Sequence, residues 1–157
     1  MNIATVNIDS IINSLTLTQK AALLQGWSQW TTLALPDKGI PSLFMADGPH
    51  GLCKQKESEK LLWSRETSPS TCFPTSATMA NSWDVELGEE LGTALGLEAA
   101  AADVHVLLGP GLNLKRSPLC GRNFEYFSED PYLAGKMAAA YIRGIQANGT
   151  AACPKHF

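Results

Sequence analysis

Residues 107–131 read LLGPGLNLKRSPLCGRNFEYFSEDP, and the fold is decided by how this stretch is parsed. An apolar run, Val104 to Leu108, stops at Gly109-Pro110-Gly111. A polar loop follows with Lys115, Arg116, Arg122, Asn123, Glu125 and Glu129, and then Asp130 and Pro131 open a helix. A long, charge-dense loop between a buried strand and a helix is where α/β proteins carry chemistry. The alternative is a solvated connector. Phe124, Tyr126 and Phe127 argue against it, because aromatic side chains among mixed charges more often form half-buried walls.

Downstream of the loop, Asp130 caps a helix with Pro131 in its first position, and Leu133, Met137, Tyr141 and Ile145 face inward. Gly149 stops it, and a strand of small residues from Thr150 to Cys153 ends in Pro154-Lys155-His156-Phe157. Upstream, Asn81 or Ser82 caps a helix with Asp84 and Glu86 in its first turn. Leu87, Leu91 and Leu95 form its buried face, and it runs to about Ala102. Before it come a short strand at Thr71–Pro74, an exposed polar excursion from Lys54 to Ser70, and an apolar strand from Ile40 to Ala46. That last strand ends at Asp47-Gly48-Pro49-His50-Gly51. At the start of the chain, Ile8, Ile11, Ile12 and Leu15 share a helical face. Thr16 and Gln19 make a capping box for a second helix that Gly26 closes, and Trp27 and Trp30 occupy the loop beyond it, as cleft wall or as core.

The order is therefore helix, strand, helix, strand, helix, strand. Such alternation predicts a parallel sheet with crossover helices. Strands of a parallel sheet end on one side, so Asp47, the Arg122 loop and Lys155-His156 are expected on one face.

Composition narrows the partners. The chain has 157 residues, is 45% hydrophobic and 17% charged, and has a net charge of -3. That describes a globular domain with no basic stripe for nucleic acid. No apolar run approaches a membrane span, and MNIATVNIDS lacks the basic and apolar regions of a secretory signal, so a cytoplasmic location is expected if Met1 is the true start. Cys53, Cys72, Cys120 and Cys153 are widely and irregularly spaced, which favours free thiols. His50 and Cys53 are the only hint of a metal pair and need two further ligands, so no metal site is expected.

A carboxylate, a guanidinium, an ammonium and an imidazole converging on one rim suit a polyhydroxylated ligand. Each sugar hydroxyl both donates and accepts, and a charge-assisted hydrogen bond contributes roughly 1.5–3 kcal/mol. A phosphate pocket competes, but Pro110 removes a backbone donor from the glycine pair and no Walker pattern occurs; no G-x-S-x-G nucleophile motif occurs either. At these residues the chain resembles glycoside hydrolase family 3 in its bacterial β-glucosidase form. The resemblance lies in Asp47-Gly48-Pro49-His50-Gly51-Leu52, Leu108–Asn113, Arg116–Glu125, Ser128–Pro131 and Lys155-His156-Phe157, and it spans Leu15 to Phe157.

The resemblance implies a partial (β/α)8 barrel of the TIM type, with residues 1–157 as the N-terminal portion of the barrel domain. Asp47, Arg122, Lys155 and His156 would bind the hydroxyls of a β-glucoside or oligosaccharide, and Glu125 would orient Arg122. Non-proline cis peptides are implied around Lys155-His156-Phe157. No cofactor is implied. The family hydrolyses β-glycosides with retention, through a carboxylate nucleophile and a second carboxylic acid. By the resemblance both belong to later segments, so no catalytic residue is assigned in this chain. The chain alone is then expected to be inactive, and to complete its open barrel edge with the missing C-terminal half or by self-association. A non-catalytic sugar-binding or partner-completed module is the other reading. Cys53 stands where the family usually has arginine. Lys54 would have to substitute, and an ammonium makes no bidentate fork.

Overall fold

The computed structural model describes residues 6–55 and 66–156. Most of the polar excursion expected between Lys54 and Ser70, together with Phe157, lies outside the described residues. The chain divides into two compact units, residues 1–44 and residues 45–157.

The first unit holds two short helices, α1 (Ile8–Ser14) and α2 (Leu17–Leu23). The capping box of α2 is reciprocal: the Gln19 amide donates to Thr16 Oγ1 at 3.2 Å, and the Thr16 amide donates to Gln19 Oε1 at 2.9 Å. Neither helix buries a residue completely, and Leu15 between them is the buried apolar side chain. Gly26 is not a helix stop, because α2 has ended by Leu24; Gly26 instead bridges to Thr32. Trp27 is exposed. The strand expected from Ile40 is shorter for a local reason. Ile40 pairs back onto Leu35 around the 3₁₀ turn Pro36–Lys38, where Gly39 takes a left-handed φ of 68°.

The second unit carries the sheet. Strands β1 (Met45–Asp47), β2 (Val106–Leu108) and β3 (Ala151–Ala152) pair in parallel in chain order, with Asp47 opposite Leu108 and Leu107 opposite Ala152. Helices α3 (Ser76–Ala80) and α4 (Val85–Ala101) connect β1 to β2, and α5 (Pro131–Gln146) connects β2 to β3. This is the parallel, crossover-connected arrangement of a partial (β/α)8 barrel. Among the described residues no helix is long and apolar enough to cross a membrane.

Three expectations are corrected here. The long helix is capped by Asp84, whose Oδ1 accepts from the Leu87 amide at 3.0 Å, because Asn81 is already the C-cap of the short α3. Thr71–Pro74 is not a strand; its tie to the sheet end is the Phe73 amide donating to the His50 carbonyl at 2.8 Å. The buried face of α4 is Gly88, Gly92, Leu95, Gly96 and Ala99, while Leu87 is exposed. Glycines lie inside because α5 approaches so closely that a Cβ on Gly92 would sit 2.3 Å from the Tyr141 carbonyl oxygen. Asp130 caps α5 as expected, accepting from the Tyr132 and Leu133 amides at 3.0 and 3.3 Å. Leu107, Leu95, Met137, Tyr141 and Ile145 form the core beneath the sheet ends.

Candidate functional site

Asp47 ends β1 and Lys155 follows β3, and Lys155 Nζ donates to Asp47 Oδ1 at 2.5 Å. The backbone explains how residues so far apart in sequence meet. Beyond the sheet the segments after β2 and β3 keep running side by side. The Lys155 amide donates to the Pro110 carbonyl at 3.0 Å, and the Leu112 amide donates to the Lys155 carbonyl at 2.8 Å. On the other side, the turn after Asp47 folds back sharply at Gly48, whose φ is 125°. A Cβ there would lie 2.0 Å from the Gly51 carbonyl oxygen, so only glycine fits. The Cys53 amide then closes the turn onto the Asp47 carbonyl at 2.8 Å. Tyr141, rising from α5, donates from its hydroxyl to the Pro49 carbonyl at 2.8 Å and holds the turn from below. Burial pushes that phenol well above its ordinary pKa.

The second half of the site hangs on Arg122, just ahead of the 3₁₀ turn Asn123–Glu125. Its Nε donates to Oε1 of Glu125, a carboxylate that is only 8% exposed. Its Nη2 donates to His156 Nε2 at 2.7 Å. On the opposite ring edge His156 Nδ1 meets the Tyr126 hydroxyl at 3.1 Å, and the His156 amide donates to Asn113 Oδ1 at 2.5 Å. The Gly109-Pro110 and Lys155-His156 peptides are both cis. An arginine can only donate. His156 Nε2 is therefore the acceptor, and the neutral ring carries its proton on Nδ1, from which it donates to Tyr126.

All four residues expected to bind ligand thus stand on one rim, and Glu125 lies against Arg122. The hydrogen bond that Arg122 donates to Glu125 raises the Arg122 pKa further and keeps the guanidinium charged. Desolvation lowers the His156 pKa, and Arg122 and Lys155 lower it further against the opposing pull of Glu125 and Asp47. The His50 pKa is also lowered, first by desolvation, with Lys155 adding to the fall and Glu125 resisting it.

Both histidines therefore bind protons later in the folded state than in the unfolded chain as pH falls. Stability is complete above the ordinary histidine value near 6.5 and declines as pH drops through that value toward the lowered folded values, below which the decline stops. Thermal melts between about pH 7.5 and about pH 5.5 should show the midpoint falling in acid; a midpoint that rose on acidification would contradict this electrostatic picture.

Three participants were not singled out by sequence. Tyr126 was read as a wall, and its hydroxyl also meets His156 Nδ1 at 3.1 Å. Asn113 lies in the glycine-proline segment, but only the chain path after β3 reveals that it holds the His156 amide. His50 was weighed as a metal ligand with Cys53, yet its Nε2 is engaged by Ser76, at 2.9 Å to Oγ and 3.0 Å to the amide nitrogen. Lys54 does not stand in at the rim for an arginine: its Nζ donates to the Ala102 carbonyl at 2.5 Å, at the C-terminal end of α4, where a cation suits the helix dipole. The four cysteines are free and exposed. Among the described residues no three His, Cys, Asp or Glu side chains cluster as a metal site.

Comparison with known proteins bears on the whole chain. The family profile described as Glycosyl hydrolase family 3 N terminal domain matches residues 2–157. The chain is 54% identical over 152 residues to thermostable beta-glucosidase B of Acetivibrio thermocellus, covering 97% of this chain and 20% of that protein. It is 45% identical over 147 residues to an exo-alpha-(1->6)-L-arabinopyranosidase of Bifidobacterium longum, covering 93% of this chain and 19% of that one. Among solved structures, beta-glucosidase 3B of Thermotoga neapolitana in complex with alpha-D-glucose superposes with a TM-score of 0.85 at 39% identity, over 95% of this chain and 22% of that chain. The chain thus spans about a fifth of the length of the curated relatives it matches. With its motifs in order, its strands parallel and the family profile matched from residue 2 to residue 157, the chain belongs to glycosyl hydrolase family 3, as part of the N-terminal domain.

Proposed function

We propose that this chain provides the sugar-ring site of a retaining β-glucosidase, which in the complete protein hydrolyses terminal β-D-glucosyl residues by double displacement. The observation that carries the reading is the rim itself. Lys155–Asp47 and Arg122–His156–Tyr126 offer charged donors and acceptors side by side at the strand ends. Both carboxylates are already paired with cations, Asp47 with Lys155 and Glu125 with Arg122, so each is held in place by its partner. That suits gripping hydroxyls. It does not suit the protonated acid of a retaining pair, nor a nucleophile kept free for C1. Nucleophile and general acid are accordingly assigned to segments beyond this chain, and the chain alone is expected to bind glucose weakly and turn nothing over.

The test is complementation. The chain is co-expressed with the C-terminal remainder of the Acetivibrio thermocellus relative and assayed on an aryl β-D-glucoside and an aryl α-L-arabinopyranoside. Turnover of the glucoside only by the combined pieces supports the reading. Turnover by this chain alone would overturn the division of labour, and preference for the arabinopyranoside would move the substrate. Sugar binding with no turnover in any combination would favour a non-catalytic module.

A further inference from the structure

We infer that His50 is a positioning residue of this sugar site: a neutral imidazole protonated on Nδ1 that fastens the Asp47 turn between α3 and the Arg122 segment. The inference rests on the sugar-site reading above for its functional consequence, but its chemistry stands on geometry. The Ser76 backbone amide lies 3.0 Å from His50 Nε2 and can only donate. Nε2 is therefore an unprotonated acceptor, and the Ser76 hydroxyl at 2.9 Å must also donate to it. Ser76 is completely buried in the first turn of α3, where a backbone amide has no partner within the helix, so the ring supplies an acceptor that the fold needs.

His50 is three residues beyond Asp47, in the turn that Gly48 bends. Its other face lies against Phe124, with ring centroids 6.3 Å apart, and Phe124 sits between Arg122 and Glu125. One ring thus touches the element before the sheet crossing and the element that carries Arg122, while its backbone carries Asp47. The charged groups acting on it are Glu125 from the Arg122 segment and Lys155 from beyond β3; α3 contributes no charge. A proton on Nε2 would face the Ser76 amide, which can only donate, and break that bond. The lowered pKa, set first by desolvation, agrees with a ring kept neutral.

His156 is held by the same logic, with the donor-only Arg122 on its Nε2. The two histidines of the site therefore share one tautomer, set by different partners. His105, exposed on the surface, is the remaining histidine.

The experiment uses the 157-residue chain labelled with 15N-histidine. Long-range proton–nitrogen spectra at neutral pH should show His50 and His156 protonated on Nδ1. His50→Phe keeps a ring but no acceptor; it should shift the Asp47 and Gly48 amide resonances and weaken glucose binding by about tenfold. His50→Gln presents an oxygen to the Ser76 amide and should stay within about threefold of the parent. An Nε2-protonated His50, or a His50→Phe chain with unchanged Asp47 resonances, overturns the inference. If the parent chain binds no sugar while the tautomer and Asp47 shifts appear as expected, the positioning role stands and the sugar reading falls.

Discussion

Valine at position 144 should cost the second unit more stability than any exchange at the site. Gly144 lies on the buried face of α5, and a Cβ there would stand 2.2 Å from the Glu89 carbonyl oxygen and 2.6 Å from the Thr93 amide nitrogen. Those are backbone atoms of α4, so no rotamer change relieves the clash; the helices must separate. The same closeness is seen from the other side at Gly92, where a Cβ would lie 2.3 Å from the Tyr141 carbonyl oxygen. Ordinary overpacking costs about 1–3 kcal/mol, and here the strain falls on two main chains at once, so Gly144→Val should reach or exceed the upper end. For a domain of this size that is a melting midpoint lower by roughly 10 °C. Gly135, also in α5, is the control: it is exposed, and a Cβ there meets nothing within 4 Å. Gly135→Ala should leave the midpoint unchanged or raise it slightly, by the roughly 0.5–1 kcal/mol that alanine gains over glycine in a helix. Equal melting of the two variants would show that the α4–α5 contact is looser than described.

This helix contact also shows where sequence reading runs short. The spacing of Leu87, Leu91 and Leu95 suggested an apolar ridge, but Leu87 is exposed and the inward positions alternate among Gly88, Gly92 and Gly96. Hydrophobic periodicity registers apolar side chains and is silent about faces built for close backbone approach. Helix starts were legible where a capping side chain follows the rules, as at Thr16 and Asp130. They were missed by a few residues where two helices abut, since Asn81, Ser82 and Asp84 all have capping chemistry and only the chain path selects Asp84. The three sheet strands and their order were legible, but the strand expected at Thr71–Pro74 does not form and strand length was not legible: Ile40 and Phe44 are paired elsewhere, and no local signal distinguishes those pairings from a strand. At the site, residue types and strand-end placement brought Asp47, Arg122, Lys155 and His156 into one group. The links between them depend on segments distant in sequence, so Asn113 on the His156 amide and Ser76 on His50 became visible only in three dimensions.

Removing the Arg122 side chain should separate two jobs that are fused in the intact protein. Arg122 neutralises Glu125, which is 8% exposed, and at the same time offers Nη2 to the rim beside His156. In Arg122→Ala the buried carboxylate loses its cation. The Arg122 side chain is 55% exposed, so solvent already weakens the pair, and stability should fall measurably but by less than when a fully buried pair is broken. Adding Glu125→Gln removes the stranded charge and should return most of that stability. It should not return sugar binding, because the amide cannot replace the cationic donor at the rim. Glucose affinity should fall by roughly 10- to 100-fold in Arg122→Ala and remain low in the double variant. Arg122→Lys should behave like the alanine variant in binding: a single ammonium cannot reach Glu125 and His156 in the planar, forked geometry that Arg122 uses. Thermal melts and glucose titrations of the three variants decide the matter. Recovery of affinity along with stability in the double variant would mean that Arg122 serves only to hold Glu125, and that the sugar is gripped by Asp47, Lys155 and His156 without it.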